Sequence, residues 1–398
     1  MLGSPELLAE FEAPQHLRAR GGAYLCSNSM GIIPRSAWEY EAACVARQGR
    51  SGILVWDEGD WMGVLNRYAA VIGRYLGVNP SQVCPVTNIT DGIWRVLSSL
   101  RFTPERPVLL QTDMEFTTQV YANFGFERLG ARVVTVPADP AHQMVPTERL
   151  VAAIYEHSPV VLNLSHAAFE SGYRHDLKAV AAACREVGTV FLLDAAQTGF
   201  VLPLSLEETG ADVILLQQHK WGCGGTGAAC LVAGQTFIQQ HAPALVGWMS
   251  HAETFAFEKG PARFGSSAWR YCGGTPDVPA KARGAVAAEI IVDVLGIEAV
   301  YAHNQKLVGR LLDGLRELAK AHPRGIYPIE LPQRAGFVVV ETGSLERARA
   351  LEHGMRARGL VHDSRGSRLR IGPTFYNDEG DIDRCIRGLA EVQQELGA

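Results

Sequence analysis

The stretch Val190–Val232, reading VFLLDAAQTGFVLPLSLEETGADVILLQQHKWGCGGTGAACLV, constrains the fold of this chain more than any other. Two short apolar runs in it, Val190–Leu193 and Asp212–Leu216, have the length and β-branched content of strands buried on both faces, and each stops abruptly at polar residues. The first run delivers Asp194 and the second Lys220. In an open α/β sheet the crevice beyond the carboxyl ends of the strands is where ligands collect, so the acid and the amine can face one cavity. Gly222-Cys-Gly-Gly-Thr-Gly227 lets the backbone turn tightly beside the lysine, and Ala228–Val232 reads as a further strand. Further strands at 107–111, 131–136 and 160–164, with helices at 147–155 and 177–187, complete a doubly wound α/β pattern.

A lysine and a carboxylate converging on one cavity are what pyridoxal 5'-phosphate requires. The amine bonds the cofactor covalently, and the acid keeps the pyridine nitrogen protonated so that the ring can take up electrons. Taken singly, Asp194 reads as a helix cap and Lys220 as a surface residue. His219 beside the lysine and Gln197 three residues after the acid change that balance. The D-x-A-[HQ] and H-K pieces, in this order and separation, resemble the fold-type I pyridoxal-phosphate enzymes of the class V aminotransferase group, which includes cysteine desulfurases and kynureninases. The resemblance implies the PLP-transferase fold type I: a large, mainly parallel seven-stranded sheet and a small α+β carboxyl-terminal domain. The expected division is a segment 1–60 contributing to the small domain and the site, a cofactor-binding domain 61–278, connecting helices 279–320, and a small domain 321–398. The nearest approach to a linker is Ala321–Gly325.

Other motifs extend the likeness. Tyr24-Leu-Cys-Ser-Asn-Ser-Met-Gly-Ile-Ile-Pro34 resembles the amino-terminal motif of kynureninases, which implies that Asn28 lies near the substrate carboxylate. Pro85–Gly92 precedes an apolar-periodic helix, Ile93–Leu100, and free N–H groups at a helix start bind anions. Thr90 or Asp91 there is also an ordinary cap; the resemblance implies that Ile89 and Thr90 hold the cofactor phosphate. By the same likeness Phe116 stacks on the pyridine face, Gln197 bonds the ring oxygen and His219 the phosphate. Trp248, in G-W-x-x-H, and Thr275, in G-T-x-[ND]-V-P, would reach the phosphate of the neighbouring subunit, so a homodimer with shared sites is implied. Leu369–Asn377 resembles R-x-[AGS]-P-x-x-[YF]-N, which makes Arg370 the clamp on the substrate carboxylate. Glu170 is either solvated or a substrate contact, and the solvated reading is the expected one.

The net charge of −5 offers no surface for nucleic acid, and no apolar run reaches the ~18 residues of a membrane span. Met1–Leu17 lacks the basic start of a secretory signal, so a cytoplasmic protein is expected. Eight cysteines without a C-x-x-C pair argue against zinc and against a disulfide framework; no metal is expected, and most of these thiols should be buried. The resemblance implies a small amino-acid substrate and, being closest to kynureninase, hydrolytic Cβ–Cγ cleavage of kynurenine or 3-hydroxykynurenine. Gly49 and Gln119 depart from kynureninases, as do Gln197 and His219, which with Gly273–Pro279 look more like desulfurases. A desulfurase, however, needs a nucleophilic cysteine in its carboxyl-terminal part, and none lies between Gly273 and Arg384. A C–S lyase, an aminotransferase and an epimerase stay open as alternatives.

Overall fold

A computed structural model describes residues 2–57, 60–140, 143–321 and 331–397. Seven strands form the central sheet: β1 (Val83–Val86), β2 (Val108–Thr112), β3 (Arg132–Val136), β4 (Val161–Ser165), β5 (Val190–Asp194), β6 (Val213–Gln217) and β7 (Ala229–Ala233). Their order is β1-β7-β6-β5-β4-β2-β3, parallel throughout except that β7 runs antiparallel to both of its neighbours. The strands β2, β4 and β7 are buried at every position, as in a sheet with helices on both faces, and the polar side chains of β2 and β4 are buried with the apolar ones.

Beneath the helix Thr117–Gly125 a line of buried amides stitches neighbouring strands together. Ser165 Oγ donates to Gln119 Oε1 (3.1 Å), Gln119 Nε2 to Asn163 Oδ1 (2.9 Å), Asn163 Nδ2 to Asn123 Oδ1 (2.8 Å) and Asn123 Nδ2 to Gln111 Oε1 (2.8 Å). Every link is satisfied, so the network rigidifies the sheet next to the site. On the other flank Lys281, buried in the helix Val278–Glu289, donates to the carbonyls of Val86, Gly227 and Ala229 at 2.6–2.8 Å and ties that helix to β1 and β7.

A second core is built by the helices Ile297–Ala321, Leu345–Ala357 and Glu379–Glu395 packed on a three-stranded antiparallel sheet. That sheet comprises β8 (Val338–Glu341), β9 (Asp363–Arg365) and β10 (Arg368–Ile371), with β10 in the middle. The amino-terminal segment joins this unit: Ala23–Tyr24 pairs in parallel with Leu360–Val361, and Cys26 bridges to Gly372. No helix among the described residues is long and apolar enough to cross a membrane.

Several elements differ from the sequence expectations. The stretch Pro5–Arg20, whose pattern predicts one amphipathic helix, forms two, Pro5–Leu8 and Glu12–Ala19, because Phe11 adopts an extended backbone and buries its ring against Phe375 and Tyr376. The strand β1 was hidden by Pro85; it is tolerated because β1 lies at the sheet edge. The helix Thr117–Gly125 has no side-chain cap and weak helix formers at its start, and is held by the amide line. The candidate linker lies, but for Ala321, outside the described residues.

Candidate active site

Beyond the carboxyl ends of β4, β5 and β6 lies a cavity of about 310 Å³, and both Asp194 and Lys220 line it. Hollows of about 710 and 940 Å³ open elsewhere, so chemistry and not size singles this one out. Asp194 ends β5, and its Oδ1 accepts from the Ala196 amide at 2.7 Å. Burial raises its carboxyl above the ordinary range, against the pull of that amide and of Lys220. Lys220 follows β6 by three residues, and its Nζ sits 5.7 Å from the centre of the Phe116 ring. Burial lowers this amine to about 8, opposed by Asp194 and assisted by Arg370. The loop after it is tight: Cys223, Gly225 and Gly227 all have positive φ. Gly31 of the amino-terminal motif packs on it so closely that a Cβ there would lie 1.9 Å from the Lys220 carbonyl oxygen.

Asn88, Ile89 and Thr90 line the cavity at the start of the helix Ile89–Ser98. Asn88 caps that helix by accepting from the Asp91 amide, while among the described residues the amides of Ile89 and Thr90 have no acceptor in the chain. They are ready-made anion donors. His219 also lines the cavity, and burial, followed by Lys220, lowers its ring to about 4, so it is neutral. Phe116 and Phe169 form an apolar wall, edge to face at 5.1 Å.

A sequence profile described as Aminotransferase class-V matches residues 66–359. The chain belongs to that family. Similar proteins include the kynureninase of Deinococcus radiodurans, 26% identical over 98% of this chain and 93% of that one. The kynureninase of Burkholderia pseudomallei is 26% identical over 94% and 89%. Among solved structures, the cysteine desulfurase of Thermococcus onnurineus superposes with a TM-score of 0.83 at 14% identity, over 99% of both chains. The cystine C–S lyase C-DES, in complex with cysteine persulfide, gives 0.82 at 20% identity over 92% of this chain and 97% of that one. These two share the fold, pyridoxal-phosphate fold type I.

As a class-V family member the chain has pyridoxal 5'-phosphate as its cofactor. The cavity suits it: a weakly basic amine, a buried acid, an aromatic face and unpartnered helix-start amides meet in one place. Of the residues singled out from sequence, Ile89, Thr90, Phe116, Asp194, Gln197, His219 and Lys220 all line it. Gln197 is anchored at both ends: Nε2 donates to the Asn28 carbonyl (3.1 Å) and Oε1 accepts from Trp221 Nε1 (3.3 Å). One Nε2 hydrogen is left for a ligand.

Trp248 and Thr275 do not line this cavity; Trp248 Nε1 donates to Thr275 Oγ1 at 3.2 Å. Asn28 and Arg370 lie behind its Phe169 wall, where Arg370 Nη1 donates to the Phe169 carbonyl at 3.3 Å. The open clamp expected of Arg370 is therefore partly filled, since Asp363 takes its Nε (3.0 Å) and Nη2. Glu170, expected in solvent, keeps about a third of its side chain exposed and also pairs with Arg368, because the turn after Phe169 brings it over β10.

Sequence reasoning passed over Glu115. Its buried carboxylate accepts from Thr112 Oγ1 (2.7 Å) and from the Ser165 amide (2.8 Å), fastening the Phe116 loop to the strand beside Asp194. Burial raises it to about 7, and Asp194 adds to the rise. An acid immediately before Phe116 was the available signal.

Proposed function

We propose that this protein is a kynureninase-like hydrolase that cleaves the Cβ–Cγ bond of kynurenine, 3-hydroxykynurenine or a similar aromatic amino acid. The observation that carries the reading is the similarity to kynureninases along almost the whole chain, amino-terminal motif included. The aromatic wall of Phe116 and Phe169 beside the Lys220 amine fits an aromatic side chain.

In this reading Lys220 would hold the cofactor, and its free amine, titrating near 8, is a competent base for the α-proton at neutral pH. Asp194 keeps a proton on the pyridine nitrogen. When bound, the cofactor supplies an electron sink conjugated with the α-carbon. Phe116 covers the ring face and Gln197 donates its remaining hydrogen to the ring oxygen. The amides of Ile89 and Thr90 with His219 receive the phosphate, and Trp248 and Thr275 reach the phosphate of a second subunit. Arg370 and Asn28 orient the substrate carboxylate. The exposed aromatics Phe255 and Phe257, packed on the partly buried Trp248, support the homodimer this requires.

A second reading, a C–S lyase, is favoured by Gln197, His219 and the Gly273–Pro279 segment. Persulfide transfer to a protein thiol is disfavoured, because all eight cysteines are buried. The deciding experiment incubates the cofactor-loaded protein with L-kynurenine, 3-hydroxykynurenine, L-cystine and cysteine thioethers and identifies products by mass spectrometry. Anthranilate with alanine is expected from kynurenine. Pyruvate from a sulfur substrate, with kynurenine untouched, would replace the first reading by the second.

A further inference from the structure

Behind the Phe169 wall the hairpin of β9 and β10 sets Asp363, Arg365, Arg368 and Arg370 on one face, and Arg368 is taken up by Glu170. Asp363 pairs in register with Arg370, and Arg365, two residues on, points the same way. Asp363 Oδ1 accepts from Arg370 Nε at 3.0 Å and from Asn28 Nδ2 at 3.4 Å. Its Oδ2 is shared by Arg370 Nη2 and by Arg365 Nη2, the latter at 3.1 Å. The two guanidiniums are thus drawn together on one carboxylate oxygen. They also meet at a second point: Ser29 Oγ accepts from Arg365 Nη2 at 3.1 Å and from Arg370 Nη2 at 3.4 Å.

Resting on the reading of this site as one for α-amino acids, we propose that the substrate carboxylate is bound by Arg370 and Arg365 together, with one oxygen at the place of the Ser29 hydroxyl, and that Asp363 is the positioning residue that aligns them. The side-on edge of Arg370, Nε with Nη2, belongs to Asp363. What is left for a ligand is the end-on edge, whose present acceptors, the Phe169 carbonyl at 3.3 Å and Ser29 Oγ at 3.4 Å, are long contacts that a carboxylate outcompetes. Arg365 supplies the second donor to the same point. Asp363 is shared between the two guanidiniums, so it cannot neutralise both, and the pair of arginines keeps positive charge for a substrate anion.

Asp363 has a second task in the empty site. Arg370 is only 3% exposed at its side chain, and a guanidinium so buried needs a counter-ion when no substrate is present. Burial pushes the Asp363 carboxyl up, but Arg370, Ser29 and Arg365 together bring it below its ordinary range, so it stays ionised. Close packing keeps the arrangement in register, since a Cβ on Gly372 would lie 2.5 Å from Asn28 Oδ1.

The test uses the cofactor-loaded protein and two ligands, L-alanine and L-alaninamide, which differ in the carboxylate charge; dissociation constants are read from the change in cofactor absorbance on binding. Arg365→Gln is expected to weaken L-alanine by about tenfold and to leave L-alaninamide within about twofold. Asp363→Asn should show the same selective loss. Arg365 is half-exposed, so its variant folds even where Asp363→Asn does not, and it decides alone in that event. An unchanged affinity for L-alanine in Arg365→Gln, or an equal loss for both ligands, overturns the proposal. A wild-type protein that develops no cofactor absorbance would instead remove the cofactor site on which the proposal rests, a result separable from either.

Discussion

The reactivity of Lys220 offers the sharpest test of the site. Burial brings its amine from the ordinary 10.5 to about 8, although Asp194 pulls the other way. At pH 7 an ordinary lysine holds about 0.03% of its amines neutral, whereas one titrating near 8 holds about 9%, a gain of about 300-fold in the nucleophilic form. The apoprotein should therefore combine with pyridoxal phosphate with a rate that levels off above pH 8. Nα-acetyllysine, run in parallel, divides out the cofactor's own ionisations. Asp194→Asn removes the carboxylate that favours the ammonium, so the inflection must move to lower pH in that variant. Stopped-flow absorbance over pH 6–11 measures both. An inflection near 10.5, or one that Asp194→Asn leaves in place, would refute the idea that burial and Asp194 set the basicity of this amine.

Two further outcomes are expected. Glu115 titrates at 4.5 when unfolded and about 7 when folded, so between those values the native state binds more protons than the unfolded one, and stability falls as pH rises through that window by at most about 3 kcal/mol. Urea unfolding of the apoprotein should show this slope, and the difference between wild type and Glu115→Gln across pH 5–8 isolates it; parallel curves would mean the carboxyl is not displaced. Phe257 is 68% exposed and stacks on Trp248 at 5.8 Å, so Phe257→Glu should convert the expected dimer to monomer by light scattering, and an undiminished dimer would put the interface elsewhere.

Much of the architecture was legible because the physics was local. Apolar runs such as Val190–Leu193 and Ala228–Val232 are continuous, and their ends are marked by polar residues or glycine, so the strands carrying Asp194 and preceding Lys220 fell within a residue of their positions. Elements that failed this way depend on distant partners. The edge strand β1 tolerates Pro85 only because one side of it has no neighbour, and Thr117–Gly125 is helical because buried amides from other strands receive Gln119 and Asn123.

The same division runs through the site. Residue types and their order along the chain were enough to nominate Lys220, Asp194 and the helix-start amides, since each lies at the end of an element whose direction the pattern reveals, whereas Phe116 was reached only through the family resemblance. That Asp363 fills one edge of Arg370, that Glu170 pairs with Arg368, and that Glu115 braces the aromatic loop were decided only in three dimensions. Ion pairs and buried hydrogen bonds join residues more than 300 positions apart, as Asn28 and Asp363 are, and depend on ångström distances and on burial, neither of which one-dimensional spacing encodes.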